Sequence, residues 1–113
     1  MIQVYHNNRC GKSREAVQKL EQSGKEFQVI KYLENPPTFE ELKLLLNKLN
    51  YKPIDLVRQK ESVWIENFKG KDLSDDEIVQ AMIQFPILIE RPIVVFENTA
   101  IVARPAEKLN EFI

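Results

Sequence analysis

The hydrophobic period of this chain changes twice within its first third, and that change constrains the fold more than any other feature. Ile2-Gln3-Val4-Tyr5 alternates apolar and polar side chains, the pattern of a half-buried strand. His6-Asn7-Asn8-Arg9-Cys10-Gly11 then breaks the alternation, and Ser13 to Gln22 carries helix formers with Ala16, Val17 and Leu20 on one face. Gly24 supplies a left-handed stop, after which Phe27 to Tyr32 places Phe27 and Val29, with Ile30 and Tyr32, in a second strand. Strand, loop, helix and strand in this order make a βαβ opening.

The remainder adds helices and then a hairpin. Pro36-Pro37 ends the second strand, and Thr38 to Glu41 forms a capping box ahead of Phe39, Leu42, Leu45, Leu46 and Leu49, which share a broad helical stripe. From Pro53 to Phe68 the apolar residues Ile54, Leu56, Val57, Val63, Trp64, Ile65 and Phe68 indicate short helices; Trp64 reads as a packing residue without a chemical role. Ser74-Asp75-Asp76-Glu77 is a second capping box, with acidic residues suited to the positive end of a helix dipole, before Ile78, Ala81, Met82, Phe85 and a stop at Pro86. Ile93 to Phe96 and Ala100 to Ala103 flank the polar reversal Glu97-Asn98-Thr99, a hairpin, and Pro105 suits the first position of a last helix with Ala106, Leu109 and Phe112. The order βαβ, helices, ββα is that of an α/β thioredoxin-like fold. It predicts a mixed four-stranded sheet whose central connection is enlarged by a helical insertion at about residues 38–85, in one domain over residues 1–113.

Composition narrows the function classes. Hydrophobic residues at 43% and charged residues at 29% fit a globular protein that buries one core. The 16 basic and 17 acidic residues leave a net charge of -1, so no bulk field recruits nucleic acid or an anionic membrane, and neither is expected as a partner. Neither a charged leader with an apolar run nor a stretch of ~18 apolar residues is present, which places the expected location in the cytoplasm. A single cysteine excludes an internal disulfide, so Cys10 is either a small buried hydrophobe or a working thiol in a reducing compartment. One cysteine and one histidine give no credible metal cluster.

The surroundings of Cys10 favour the working thiol. It falls at the strand-to-helix junction, where first-turn N–H groups lack intrahelical partners and the helix dipole is positive, conditions that favour a thiolate. Arg9, Lys12, Arg14 and His6 add donors and positive charge, so the Cys10 pKa is expected below that of a free thiol. Gly11 leaves the backbone uncovered, so that a tetrahedral oxyanion can approach the N–H groups of Lys12 and Ser13.

The run Tyr5-His6-Asn7-Asn8-Arg9-Cys10-Gly11-Lys12-Ser13-Arg14 resembles the active-site signature of the glutaredoxin-coupled arsenate reductase family, in which a His-Asn pair precedes the catalytic cysteine and a Ser-Arg pair follows it. Leu56-Val57-Arg58, Ile89-Glu90-Arg91-Pro92 and Ala103-Arg104-Pro105 resemble the later family segments that each bring an arginine to the oxyanion. Singly, each arginine reads as a solvated surface residue; the four segments in order along the chain are far more specific. The resemblance implies that Cys10 attacks an arsenate-like oxyanion held by Arg58, Arg91, Arg104 and the helix N-terminus formed by Gly11, Lys12, Ser13 and Arg14. Planar guanidinium groups suit that task. It further implies a cis proline at Pro92 facing the cysteine, and a His6 that lowers the thiol pKa or handles a proton. A structural hydrogen bond is the competing reading of His6. With no second cysteine, the reaction draws on external thiol: glutathione as co-substrate and glutaredoxin as partner, with no tightly bound cofactor.

Two departures stand out. Asn8 occupies a position where the family commonly has proline, and the chain ends soon after its last helix, as in the short chromosomal type. Rival readings of the same fold are a general glutathione-dependent thiol-disulfide reductase and a regulator that binds RNA polymerase. The regulator's Cys-x-x-Cys switch is missing, because Ser13 stands at its second position. The Cys-x5-Arg phosphatase loop is missing too, since the residue six after Cys10 is Ala16.

Overall fold

In the computed structural model, which describes residues 1–112, strand β1 (Ile2–Tyr5) buries Ile2 and Val4 and leaves Gln3 and Tyr5 partly exposed, the alternation expected of its sequence. Helix α1 (Gly11–Ser23) follows and closes on Gly24 at φ 74°, a left-handed cap that glycine adopts at no steric cost. Strand β2 (Phe27–Ile30) returns parallel to β1, as a helical crossover requires. β2 stops two residues earlier than the sequence pattern indicates. Lys31 to Asn35 turn back through hydrogen bonds from Glu34 N and Asn35 N to Lys31 O, and this places Tyr32 outside the ladder and fully buried.

Strands β3 (Ile93–Phe96) and β4 (Thr99–Val102) complete a four-stranded mixed sheet in the order β2-β1-β3-β4, with only the β1–β2 pair parallel. The hairpin turns on two residues, Glu97 and Asn98, with Glu97 at φ 56° and Thr99 already paired to Phe96. A short 3-10 turn at Ala106–Lys108 leads into helix α5 (Leu109–Phe112), and Pro105 serves as the capping residue before that turn rather than as its first residue. Ile2, Val4, Ala16, Leu20, Val94, Ala103 and Leu109 form one buried cluster, with Val17, Phe27, Ile101 and Phe112 against it. Truncating the fully buried Leu20 to alanine would cost about 2–5 kcal/mol, the usual penalty for a core cavity. These elements make the first of two compact units, Met1–Asn35 together with the segment from Arg91 onward. This is the thioredoxin-like sheet that the element order predicts.

The second unit, Pro36–Glu90, is the helical segment. Helix α2 (Phe39–Leu49) and helix α4 (Asp75–Gln84) pack against one another, α2 burying Leu42, Leu45, Leu46 and Leu49 and α4 burying Ile78, Val79, Ala81 and Met82. Both start with complete capping boxes: Thr38 with Glu41, and Ser74 with Glu77. Between them lie a 3-10 turn at Pro53–Leu56 and helix α3 (Ser62–Asn67), where Trp64 stacks on Phe68 and Phe68 meets Phe85 edge-on. Val57 bridges Ile89 in antiparallel fashion, with Arg58 N donating to Leu88 O at 2.7 Å and Glu90 N to Leu56 O at 2.9 Å. No helix among the described residues is long and apolar enough to cross a membrane.

Candidate active site

Sheet register determines what shares an end of the first unit. Tyr5 pairs with Ile30 on one side and with Ile93 on the other. The chain leaving β1 therefore enters the His6–Cys10 loop beside the start of β3, and beside Lys31 at the end of β2. In the β3–β4 hairpin Ile93 faces Val102 and Ala103 N donates to Pro92 O, so continuing that register sets Arg91 opposite Arg104. Cys10, His6, Arg91 and Arg104 thus occupy the same end of one sheet. The Arg91-Pro92 and Arg104-Pro105 bonds are both cis.

Cys10 is the N-cap of α1, with φ -97° and ψ 121°; its thiol is partly exposed and forms no side-chain capping bond. Its carbonyl accepts from Arg14 N, the first bond of the helix, so the amides of Gly11, Lys12 and Ser13 have no intrahelical acceptor. The first turn holds no acidic residue. Lys12 is exposed and reaches Glu15 at 3.9 Å, while Arg14 donates from Nη1 to Asn8 O at 3.1 Å. Gly11 has an ordinary backbone, and a Cβ there would meet only the tip of Arg14 at 3.8 Å, so its contribution is an uncovered amide rather than a special conformation.

Asn7, known from the sequence only as a member of the His-Asn pair, is the centre of the loop in the structure. This buried side chain accepts from Arg9 N at 3.0 Å, its backbone N donates to the Ser13 hydroxyl at 3.3 Å, and its carbonyl accepts from Cys10 N at 3.0 Å. Ser13 is fully buried and its hydroxyl serves this clasp, a structural part in the loop rather than a direct contact to a ligand. An Asx-type turn leading into a helix was the available signal, since Asn commonly bonds the backbone two residues on.

His6 donates from its backbone N to Ile30 O at 2.8 Å, and its ring is half-buried with Nδ1 out of contact with solvent and without an acceptor or donor. Burial, followed by the positive charges of Lys31 and Arg14, holds its pKa below the ordinary 6.5, so the ring is neutral at neutral pH. Arg91 carries buried Nε and Nη1 atoms with no hydrogen-bond partner, while its carbonyl accepts from Arg104 Nη1 at 3.3 Å. Arg58 lies in the second unit, paired with Glu61.

A guanidinium whose buried donors lack an acceptor, at the same sheet end as an uncapped helix N-terminus bearing a lone thiol, defines a thioredoxin-fold protein equipped to meet an oxyanion. The chain belongs to the ArsC family, whose model matches residues 5–112. It is 40% identical to the uncharacterized protein YfgD of Escherichia coli, over 99% of this chain and 96% of that protein. It is 38% identical to a Neisseria meningitidis protein named arsenate reductase, over 96% of this chain and 94% of its relative. A solved structure described as arsenate reductase from Vibrio cholerae superimposes with a TM-score of 0.93 at 44% identity, covering 99% of this chain and 97% of that one.

Proposed function

We propose that this protein is an arsenate reductase that takes its electrons from glutathione and glutaredoxin. The observation that carries the reading is the Arg91 guanidinium, whose buried Nε and Nη1 have no partner in the protein. Burying charged donors unpaired costs several kcal/mol, a cost that an anionic ligand offsets. Arg104 stands opposite Arg91, and the free amides of α1 add the donors that suit a tetrahedral oxyanion. Relatives of matching length that are named arsenate reductase supply the substrate.

In this mechanism the Cys10 sulfur attacks arsenic(V) and displaces one oxygen as water, giving a sulfur–arsenic adduct. Among the described residues Cys10 is the one cysteine, so no internal thiol resolves the adduct. A glutathione thiolate bonds to the Cys10 sulfur, and the sulfur–arsenic bond breaks with its electron pair remaining on arsenic. Arsenite leaves and a mixed disulfide remains; the two sulfurs have lost the two electrons that arsenic gained. Glutaredoxin then takes the glutathione by thiol exchange and frees Cys10. The resemblance gives neutral His6, at the head of the loop, the part of handling a proton. The resemblance also assigns Arg58 to the oxyanion. A lone working thiol fits the reducing cytoplasm.

The test is reduction of arsenate by the purified protein with glutathione and glutaredoxin, followed by NADPH consumption through glutathione reductase. Arsenate-dependent turnover that disappears without glutaredoxin supports the reading. Turnover of a small disulfide with none of arsenate would replace it with the general thiol-disulfide reductase.

A further inference from the structure

We infer that the groove beside the Cys10 loop, lined by His6, Asn7, Arg9, Lys31, Leu33 and Glu34, is the seat of the thiol tripeptide glutathione. The inference rests on the function proposed above and adds to it the place where the reductant binds.

The groove measures about 280 Å³ and lies wholly within the first unit. That is close to the lower end of the ~300–1,000 Å³ range typical of small-molecule sites, a size suited to a ligand that remains partly in solvent. Residues 6–9 form one wall, and Cys10, which does not itself line the groove, follows them directly in the chain. The opposite wall comes from the turn after β2, which hydrogen bonds within Lys31–Asn35 hold in shape.

Charge selects the ligand. Glutathione carries two carboxylates and one ammonium at neutral pH; the groove carries two cations, Arg9 and Lys31, and one anion, Glu34. None of these three exposed side chains forms an ion pair among the described residues. Neutral His6 adds no charge, so the groove is locally positive on a chain whose net charge is -1. Leu33, 40% exposed, offers an apolar contact for the cysteinyl stem. The neighbouring groove on α1, lined by Arg14, Val17, Gln18 and Glu21 with His6, holds one cation and one anion and so lacks a partner for the second carboxylate.

The experiment uses S-methylglutathione, which cannot react, titrated into 15N-labelled protein. Amide shift changes should concentrate at residues 6–9 and 31–34. Lys31→Ala and Arg9→Ala should each weaken binding by about tenfold, the loss of one charge-assisted contact, whereas Lys25→Ala, past the far end of α1, should not. In turnover Lys31→Ala should raise the KM for glutathione and leave that for arsenate unchanged. Shift changes confined to Arg14–Glu21, an absence of binding, or equal losses in Lys25→Ala would overturn the assignment. Binding needs no arsenate chemistry, so a protein that holds the peptide here yet fails to reduce arsenate would defeat the proposed function and leave this site standing.

Discussion

The N-termini of the three longest helices, α1, α2 and α4, are built in two opposite ways. α2 and α4 are sealed: Thr38 and Ser74 accept from the N–H groups of Glu41 and Glu77, whose carboxylates reach back to the capping amides, and acidic residues fill both first turns. α1 is left open, with a cysteine as cap, no side-chain capping bond and no acid in its first turn. A Ser, Thr, Asp or Asn cap is worth roughly 0.5–2 kcal/mol, and a favourable first-turn charge adds about 0.3–1 kcal/mol. The sealed termini belong to the unit that supplies helical packing, and the open one to the unit that carries the thiol. Stability forgone at one helix end is a mark of function, because the unsatisfied amides are what an anion binds.

Cys10→Ser tests the contrast most severely, since it closes the open terminus with a residue that caps well. Arsenate turnover should vanish, because a serine hydroxyl at this site is a poor nucleophile. The same variant should unfold at higher urea, by roughly 0.5–1 kcal/mol, as the new hydroxyl accepts from a first-turn amide. Retained turnover would remove Cys10 from the chemistry, and a destabilised variant would show that the N-terminus of α1 was never short of a cap.

The arginines offer a second contrast. Arg91 has buried donors with no acceptor, whereas Arg58 already pairs with Glu61. Arg91→Ala should lower kcat/KM for arsenate by about 10–100-fold, the worth of a charge-assisted hydrogen bond. Arg58→Ala should lower it by less than about tenfold, part of its charge being directed to Glu61. Equal losses would show that ion pairing in the free protein does not grade the arginines, and no loss at Arg91 would return it to the ordinary surface.

This difference between the arginines was not legible in the chain. The βαβ opening, both capping boxes and the hairpin were, because each rests on residues within a few positions of one another: Thr38 with Glu41, Ser74 with Glu77, Gly24 after Leu20. The end of β2 at Ile30, the bridge between Val57 and Ile89 and the partnerless state of Arg91 depend on segments distant in sequence, which periodicity does not join. Among the loop residues, Cys10 announced itself by chemistry and position. Asn7 did not: its bonds to Arg9 N, Cys10 N and the Ser13 hydroxyl exist only once residues 7 to 13 have closed into a turn.

At the sealed ends, Thr38→Ala and Ser74→Ala should each cost about 1 kcal/mol in urea denaturation while leaving arsenate kinetics unchanged. The Glu77 carboxyl is held below its ordinary range first by the Ser74 backbone N–H, which the alanine variant keeps, and then by the Ser74 hydroxyl, which it removes. A change in arsenate KM on either substitution would blur the separation of capping from chemistry.

The smallest effect concerns His6, whose position on the open side gives stability a pH dependence that the sealed helices lack near neutrality. Its ring is half-buried with Nδ1 removed from water, and burial first, then Lys31 and Arg14, lowers its pKa from 6.5. Above pH 6.5 the ring is neutral in both the folded and the unfolded chain, and it costs nothing to fold. As pH falls through 6.5 the unfolded chain takes up the proton while the folded chain does not, so the unfolded state binds more protons and stability declines. The decline is complete once pH lies below the depressed folded value. Urea midpoints between pH 7.5 and 5.5, a window above most carboxylate titration, should therefore fall for the wild type and stay flatter for His6→Gln. Parallel slopes for the two proteins would mean that the ring titrates alike folded and unfolded, and that the histidine at the head of the thiol loop is not held neutral.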